Sequence, residues 1–406
     1  MKVLIVNNFV REGSGIDASV ELEARVLARR GHGVGLLRRD NADLATVGRR
    51  ARAALLASSL YSPSVRAELS RRLAVERPDL VHLHNLVPFV TGAAYDACRG
   101  RGVPTVQHLR NYRALCPSSY AFRGGEPCDA CTGTAFVACL LHCCYRDSLL
   151  ASGGLVAARW IDWAKGRRSG YDADLYIANS RHTADRHVAH GLDPAAVHVL
   201  HNPAEDLSTL VAVREADGEQ VLRRLIYIGS LIEAKGVWTL LELAAALPDF
   251  ELRVVGTGSE GAALAQAARR RRLTNVVFDG LLEGAAKAAL WANSFLTVVP
   301  SLWDEPFGLV VPESFSLGIP VLATRRGGLA ETVADGVTGL QLNQGDIGGA
   351  ALRIRSLWDD RVRYRAMRAA ARADYDRRFT TEIFATRLEE LFSLAVGRGT
   401  RREAPS

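Results

Sequence analysis

The stretch DEPFGLVVPESFSLGIPVLATRRGGLAETV, residues 304–333, decides how the rest of the chain is interpreted. A buried-strand pattern, FLTVVPSL, runs into it, and the Phe-Gly-Leu at residues 307–309 then opens a predicted helix. A helix N-terminus presents unpaired amides and the positive end of a dipole, which suit a phosphate. Glu305 precedes these amides, and Glu313 follows them by about a turn and a half. Carboxylates beside an anion site are best explained as partners of hydroxyl groups, so the stretch predicts a sugar-nucleotide pocket.

Three glycine turns come before this stretch, each after a strand-like run. Their residues are Gly229, Ser230 and Lys235 in IGSLIEAKG, Gly258 in VVGTG and Leu282 in FDGLL. A lysine at the start of a helix can hold a diphosphate as a point charge, although a solvated lysine is the ordinary alternative. The chain has only four lysines among its 51 basic residues, which favours a functional Lys235. Because the carboxyl ends of parallel strands share one edge, we expect these turns and Glu305 to line one nucleotide cleft.

The first half of the chain also alternates strands and helices. Strand patterns lie in MKVLIVNNF, HGVGLLRRD, DLVHLHNL and VPTVQHLRN, with helical spacing between them. This alternation predicts an α/β, doubly wound parallel sheet that binds ligands outside the carboxyl ends of its strands. The loop GSGIDA, with Gly13 and Gly15, formally matches a dinucleotide fingerprint, and Asp40 ends the next strand. Residues 10–12 separate it from the first strand, however, so a substrate loop around Gly15 is favoured over an NAD loop.

The length of 406 residues fits two domains, and a polar stretch near Gly218 predicts the linker. We expect an N-terminal Rossmann-like domain at residues 1–217, with a cysteine-bearing insertion at 115–146. A second Rossmann-like domain follows at 218–385, and residues 386–406 end the last helix and form a tail.

The composition is that of a folded globular protein, with 48% hydrophobic and 23% charged residues. The net charge of +7, which is 51 − 44, comes almost wholly from arginine and is weak evidence for a nucleic-acid partner. It is better evidence for anionic ligands or an anionic membrane face. The chain shows neither a signal-peptide pattern nor a run near the ~18 apolar residues of a membrane span. We therefore expect a cytoplasmic protein without a nucleic-acid partner.

The insertion contains the cysteine pattern C-x11-C-x2-C-x12-C. Its members are Cys116, Cys128, Cys131 and Cys144. A C-x2-C flanked by further cysteines, in a reducing compartment, predicts a structural zinc, and disulfides or free thiols are the alternatives. Catalysis by these thiols is not expected, because no activating base lies at a recognisable spacing.

Two further features have an ordinary explanation beside a functional one. His108 ends the strand VPTVQ, where a histidine can hydrogen-bond a bound sugar or orient an acceptor, but a packing or capping histidine explains it equally well. RWIDWAKGRR, residues 159–168, places Trp160 and Trp163 among basic residues. An interfacial patch on anionic lipid would look like this, although a helix with one packed tryptophan face is the more frequent case.

The segment from Glu305 to Glu313 resembles the E-x7-E motif of the family 4 retaining glycosyltransferases. The resemblance covers nearly the whole chain, because GSG, RGHGV, DLVHLHN, IANS, the KG at Lys235, GTG and GGLAETVADGVTG follow in the family's order. It implies the GT-B fold, in which two Rossmann-like doubly wound domains face each other across a cleft. It also implies a donor of the UDP- or GDP-sugar type and a hydroxyl acceptor, which could be a glycan, a lipid-linked compound or a small molecule.

The resemblance also implies roles for individual residues. Glu305 contacts the hydroxyls of the donor sugar, and Glu313 contacts the ribose. The backbone amides of Phe307, Gly308 and Leu309 face the sugar and diphosphate, and Lys235 holds the diphosphate.

From the N-terminal domain, His108 faces the donor sugar, and Gly15 lets the first loop approach the phosphate or acceptor. Enzymes of this kind retain the anomeric configuration and need no catalytic metal. Their mechanism is argued to be front-face, and no protein nucleophile is assigned.

Two positions depart from the family pattern. The chain has Ser230-Leu231 where the family commonly has Arg-Leu, so the second cation on the diphosphate is missing. The insertion resembles a subgroup with HNYR-x2-CP, associated with polysaccharide and related glycan synthesis. Here the residues are HLRNYRALCP, so His108 lies two residues before the motif's histidine. The alternatives are a sugar-nucleotide epimerase, a nucleotide-dependent oxidoreductase, or an inactive GT-B-like, zinc-bearing binding protein.

Overall fold

The structure is a computed structural model that describes residues 1–9, 15–40, 60–131, 136–145, 147–167, 170–211 and 221–402. Two compact units make up the chain. The first comprises Met1–Ala121, Cys128–His201 and Glu382–Ser406, and the second comprises Phe122–Pro127 and Asn202–Thr381. Among the described helices, none is both long and apolar enough to cross a bilayer.

The first unit is built on a six-stranded parallel sheet in the order β2-β1-β3-β4-β7-β8. The strands of this half of the chain are β1 (Lys2–Phe9), β2 (Gly33–Asp40), β3 (Leu80–Leu83), β4 (Thr105–Leu109), the short antiparallel pair β5 (Phe122–Arg123) and β6 (Glu126–Pro127), β7 (Leu175–Ala178) and β8 (Val197–Val199). The helices are α1 (Gly15–Arg29), α2 (Pro63–Glu76), α3 (Ala93–Arg99), α4 (Val137–Leu141), α5 (Leu149–Ala164) and α6 (Arg181–Ala189). The central strands are buried along nearly their whole length, as continuous apolar runs predict for a sheet covered on both faces.

The second unit repeats this architecture, with the strand order β11-β10-β9-β12-β13-β14. Its strands are β9 (Arg224–Ile228), β10 (Glu251–Val255), β11 (Val276–Gly280), β12 (Leu296–Val299), β13 (Val321–Thr324) and β14 (Gly339–Leu342). The helices are α7 (Trp238–Ala246), α8 (Gly261–Arg270), α9 (Gly284–Ala292), α10 (Val310–Ser316), α11 (Leu329–Thr332), α12 (Ile347–Asp359), α13 (Arg361–Arg378) and α14 (Thr381–Arg402). The predicted α/β fold with two Rossmann-like domains is therefore confirmed.

The strand order places a switch point in the second sheet between β9 and β12. From β9 the chain moves outward to β10 and β11, and then returns to add β12, β13 and β14 on the other side. Loops that leave neighbouring strands in opposite directions open a crevice at the carboxyl edge of the sheet. The loops after β9 and β12 are therefore the ones that build a ligand site.

The observed units differ from the predicted boundaries. The linker expected near Gly218 falls in residues 212–220, outside the described residues, and the units divide already after His201. The amide of Ala204 donates to the carbonyl of Phe379 at 3.0 Å, which ties this stretch to the second unit. Helix α14 packs Phe384 and other apolar residues into the core of the first unit, so the chain ends in the unit in which it began.

Candidate functional site

The loops that follow β9 and β12 are held together by backbone contacts. The amides of Leu302 and Trp303 both donate to the carbonyl of Ala234, at 3.0 and 3.2 Å. A side chain at Gly236 would overlap the carbonyl of Pro300. The loop carrying Lys235 thus lies directly against the loop carrying Glu305, at the switch point of the sheet.

Glu305 is almost fully buried, with 4% of its surface exposed. Its Oε1 atom pairs with the ammonium of Lys235 and accepts a hydrogen bond from the Ser301 hydroxyl at 2.8 Å. The carbonyl of Ser301 in turn accepts a hydrogen bond from Thr324 at the end of β13, at 2.7 Å. Three strand ends therefore contribute to the position of one carboxylate and one cation.

A glycine pair after β13 encloses the backbone of Glu305. The amide of Gly328 donates to the Glu305 carbonyl at 2.6 Å. Gly327 has a φ of +55°, and a Cβ there would overlap the backbone nitrogen and oxygen of Glu305. Only a residue without a side chain fits this close approach, which explains the GG of the sequence motif.

The amides at the start of α10 lie where the sequence predicts them. Phe307 packs its ring into the core beneath, while Gly308 adopts a φ of +87° above Leu329. The N–H groups of Gly308 and Leu309 have no acceptor within the described part of the chain. Two unpaired donors beside Lys235 and Glu305 are an arrangement suited to an anionic group flanked by hydroxyls.

Glu313 is paired with a residue that the sequence analysis missed. Lys287 of α9 places its ammonium 3.3 Å and 3.4 Å from the two carboxylate oxygens of Glu313. Both side chains remain partly exposed. The scarcity of lysine in this chain, which drew attention to Lys235, was an available signal for Lys287 as well.

The other predicted donor-binding residues lie on turns at the same edge. The Ser230 carbonyl accepts a hydrogen bond from the Tyr227 hydroxyl at 2.8 Å. Gly258 lies against the backbone of Leu231, and a side chain at position 258 would overlap that backbone. Leu282 is partly buried beneath the turn after β11. Ser230 brings no charge to this edge, so Lys235 is the basic residue that the loop after β9 supplies.

In the first unit, His108 belongs to a buried polar cluster around Glu23 of α1. The cluster contains Glu23, His82, His84, His108 and Arg110. Glu23 Oε1 lies 2.6 Å from His82 Nδ1 and 3.3 Å from His84 Nε2. Glu23 Oε2 lies 3.8 Å from His108 Nδ1 and accepts a hydrogen bond from Arg110 Nη2 at 2.9 Å. The His108 side chain has no exposed surface, and His108 is among the residues that line a cavity at the carboxyl ends of β3 and β4.

Charge in this cluster is balanced by Arg110. Burial lowers the pKa of His84 to about 3 and moves the pKa of His108 far below its usual value, so both rings are neutral at pH 7. Four ligand atoms, from Glu23 and the three histidines, lie within 4.8 Å of one another, a spacing that a metal ion could use. However, Arg110 Nε donates to His84 Nδ1 at 3.0 Å. That bond puts the His84 proton on Nε2 and removes its lone pair, so the cluster is explained as a buried ion pair among imidazoles.

The cysteines of the insertion are free thiols in the structure. Burial, and then the nearby thiols of Cys116, Cys144 and Cys128, raise the pKa of Cys131 to about 11. The four predicted ligands are therefore neighbours. Across the described ranges, however, the Glu23 cluster is the group whose potential ligand atoms converge most tightly, and the cysteines do not form such a group.

Comparison with known families matches both halves of the chain. Residues 217–374 match the model described as glycosyl transferases group 1, and residues 13–206 match glycosyltransferase family 4. A glycogen synthase of Mycobacterium tuberculosis (strain CDC 1551 / Oshkosh) is 33% identical over 186 residues, which cover 45% of this chain and 44% of that protein. A D-inositol 3-phosphate glycosyltransferase of Corynebacterium kroppenstedtii is 28% identical over 249 residues, covering 56% and 55%. The chain thus spans about half the length of the curated relatives it matches.

Solved structures with the same fold cover nearly the whole chain. The Anabaena protein Alr3699/HepE in complex with UDP has a TM-score of 0.67 at 20% identity and covers 97% of this chain and 100% of that one. Sucrose-phosphate synthase from Thermosynechococcus elongatus has a TM-score of 0.71 at 18% identity, with coverages of 97% and 98%. At these identities the likeness supports the fold.

Proposed function

Because the chain belongs to the family 4 glycosyltransferases, with the GT-B fold, we propose that it moves a sugar from a UDP- or GDP-sugar to a hydroxyl acceptor. We further propose that the transfer retains the anomeric configuration and needs no catalytic metal. One observation carries the proposal: at the switch point of the second sheet, Lys235 is paired with the buried Glu305 beside the unpaired amides of Gly308 and Leu309. A cation and two free N–H donors can bind the oxygens of a diphosphate. A carboxylate can bind the hydroxyls of the attached sugar.

The geometry supports a division of labour within the second unit. The diphosphate would take the amides of Gly308 and Leu309 and the ammonium of Lys235, because each offers a donor toward negative oxygen. Glu305, held by Ser301, would accept hydrogen bonds from the hydroxyls of the donor sugar. Phosphate binding would draw Lys235 away from Glu305, which frees an acceptor oxygen at the moment that the sugar arrives.

Glu313 would bind the ribose diol in the same way. Its carboxylate is occupied by Lys287 in the unliganded chain, so the diol competes with a partly exposed ion pair. Such a pair is worth about 0–1 kcal/mol, and displacing it costs little. Lys287 is then free to turn toward the nucleotide phosphates, where it would supply a second cation in place of the arginine absent at Ser230.

We assign His108 an indirect part in the reaction, and Gly15 the role of starting α1 close to the first loop. The His108 ring contacts the Glu23 cluster and not the surface, so we propose that it positions the residues around it. The acceptor hydroxyl must lose a proton as its oxygen attacks the anomeric carbon. In a front-face transfer the leaving phosphate oxygen takes that proton, and no protein nucleophile is required.

Labelled sugar nucleotides test the proposal directly. UDP- and GDP-sugars would be incubated with the chain and a range of hydroxyl acceptors, with EDTA present to remove metal, and transfer would be followed by incorporation of labelled sugar into the acceptor. Glu305→Gln removes the charge that holds Lys235 and should reduce transfer by at least about tenfold, whereas the exposed Glu283→Gln in the same unit is the matched control. Binding of a sugar nucleotide without any transfer would favour an inactive binding protein, for which Ser230 is the motivating feature. Product with inverted configuration would contradict the proposed mechanism.

A second proposal concerns peripheral contact with an anionic membrane. Helix α5 turns apolar side chains outward: Leu150 is 90% exposed and Trp163 61%. Trp160 and Trp163 follow Leu149 by eleven and fourteen residues. On a helix of 3.6 residues per turn, the three side chains therefore lie within about 60° of one another. The segment 137–170 carries five basic and two acidic residues. A stripe of leucine and tryptophan with positive charge fits the headgroup region of anionic lipid.

A further inference from the structure

A cavity in the first unit lies at the carboxyl ends of β3 and β4, between those strands and the inner face of α5. Its volume is about 90 Å³, and it is partly open to solvent. Apolar side chains make up most of its wall, among them Leu86, Val87, Phe136 and Leu155. Arg110, Arg113 and Arg159 lie among the polar residues of the wall, together with the carboxylate of Asp162. The cavity therefore joins an apolar surface to several guanidinium groups.

Arg113 is an arginine in this wall that forms no ion pair among the described residues. One of its terminal nitrogens donates to the carbonyl of Pro117, and its guanidinium lies 5.5 Å from the centre of the Tyr145 ring. Its Nε–H is buried and has no acceptor in the described ranges, and no carboxylate there forms an ion pair with it. Burial lowers the pKa of Arg113, and it outweighs the opposing effects of Tyr145 and Cys116.

Two neighbouring arginines of the first unit have the carboxylate partner that Arg113 lacks among the described residues. Arg110, also in the cavity wall, contacts the Glu23 carboxylate at 2.9 Å. Arg167, behind the cavity, contacts Asp162 at 3.1 Å. Arg113 is only partly buried, but its Nε–H is buried without a partner, and an unpaired buried donor is costly. Arg113 thus keeps an unpaired donor in the cavity wall, to which an anionic ligand could bind.

We infer that this cavity binds the anionic group of an amphiphile, a phosphate or carboxylate attached to an apolar body, with Arg113 as its counter-ion. The apolar wall would take the body of the ligand, and the Nε–H and the terminal N–H groups of Arg113 would take its oxygens. That this amphiphile is the sugar acceptor rests on the proposed function, whereas its binding does not. The outer face of α5, with its exposed tryptophans, lies on the other side of the helix that covers the cavity. A ligand drawn from a lipid surface would reach the cavity around this helix.

Calorimetry on the full chain with three small probes tests the inference. Octyl phosphate carries both features of the ligand, inorganic phosphate carries only the anion, and octanol carries only the apolar chain. We expect octyl phosphate to bind at least about tenfold more tightly than either of the others, since a charge-assisted hydrogen bond contributes about 1.5–3 kcal/mol. Octanol binding as tightly as octyl phosphate would overturn the inference.

Arg113→Gln should weaken octyl phosphate binding by about tenfold or more and leave UDP binding unchanged, because UDP is assigned to the second unit. Arg101→Gln, an exposed arginine of the same unit, is the matched control and should change neither. Arg113→Lys keeps the charge and should recover part of the affinity, which separates loss of the cation from loss of folding. Unaltered octyl phosphate affinity in Arg113→Gln would refute the role of this residue.

The outcomes for the acceptor and for the transfer reaction are separable. If octyl phosphate binds through Arg113 but no sugar is transferred to any phosphate-bearing amphiphile, the cavity is confirmed and the proposed transfer fails. If sugar is transferred but Arg113→Gln binds octyl phosphate as tightly as the native chain does, the transfer stands and the cavity inference fails. Vesicles that contain the amphiphile, compared with the same compound below its micelle concentration, distinguish a lipid-borne ligand from a dissolved one.

Discussion

Replacing Lys235 with methionine separates the structural from the ligand-binding part of its pairing with Glu305. The Lys235 side chain is 26% exposed and that of Glu305 only 5%. In the variant, the buried carboxylate keeps only the Ser301 hydroxyl as a side-chain donor among the described contacts. Breaking a fully buried ion pair costs roughly 3–5 kcal/mol. Because a quarter of Lys235 remains in water, we reduce the expected loss of unfolding free energy to about 1–2 kcal/mol.

The same substitution removes a cation from the proposed diphosphate site. A hydrogen bond to a charged group contributes about 1.5–3 kcal/mol, which corresponds to about 10- to 150-fold weaker UDP binding. The double variant Lys235→Met, Glu305→Gln should regain most of the lost stability, since no uncompensated charge remains, but should still bind UDP weakly. Urea denaturation reports stability, calorimetry with UDP reports affinity, and exposed Lys2→Met is the control. UDP affinity within about threefold of the native chain in Lys235→Met would show that Lys235 serves only to neutralise Glu305.

Three further predictions concern the first unit. His84 has a pKa of about 3 in the folded chain against about 6.5 when unfolded, so its contribution to stability is complete above pH 6.5. That contribution falls by about 1.4 kcal/mol per pH unit between pH 6.5 and 3, which urea denaturation across this range would detect, and a flat profile would contradict. If the cysteines bind zinc, metal analysis should find about one zinc per chain. The zinc content should fall in Cys131→Ser but not in the control variant Cys98→Ala. Less than about half a zinc per native chain would count against the site. Trp163→Ser should lower co-sedimentation with anionic vesicles several-fold, whereas Trp238→Ser in the second unit should not; equal losses would indicate no specific membrane face.

The parallel sheets could be predicted because their strands are encoded locally. Continuous apolar runs such as LIVNNF and TVVP mark strands covered on both faces, and glycine turns mark their ends. The partner of the last helix could not be predicted in this way. The apolar stripe of α14, with Phe384, Leu388 and Phe392, shows that one face is buried but not which core receives it. That choice depends on long-range packing, which a periodic pattern does not specify.

In the proposed donor site, too, some features are encoded locally and others depend on long-range packing. Glu305 and the amides of residues 307–309 are contiguous in sequence, and their grouping follows from one strand-to-helix turn. The pairing of Lys287 with Glu313 joins α9 to α10 across 26 positions, and only the packing of those helices brings the two charges together. Arg113 shows the limit most clearly. The sequence motif contains it, but the absence of a carboxylate beside it among the described residues is a property of the folded wall.

Arg110 balances the charge of the buried cluster that contains His108. Where the related motif has histidine, this chain has an arginine, which is charged at every pH of interest and pairs with the buried Glu23. A histidine at position 110 would leave Glu23 facing imidazoles alone, and one of them would have to take a proton to balance the carboxylate. With arginine present, His84 and His108 stay neutral, as their lowered pKa values indicate. Arg110 therefore supplies the fixed positive charge of this cluster, through its contacts with Glu23 and His84.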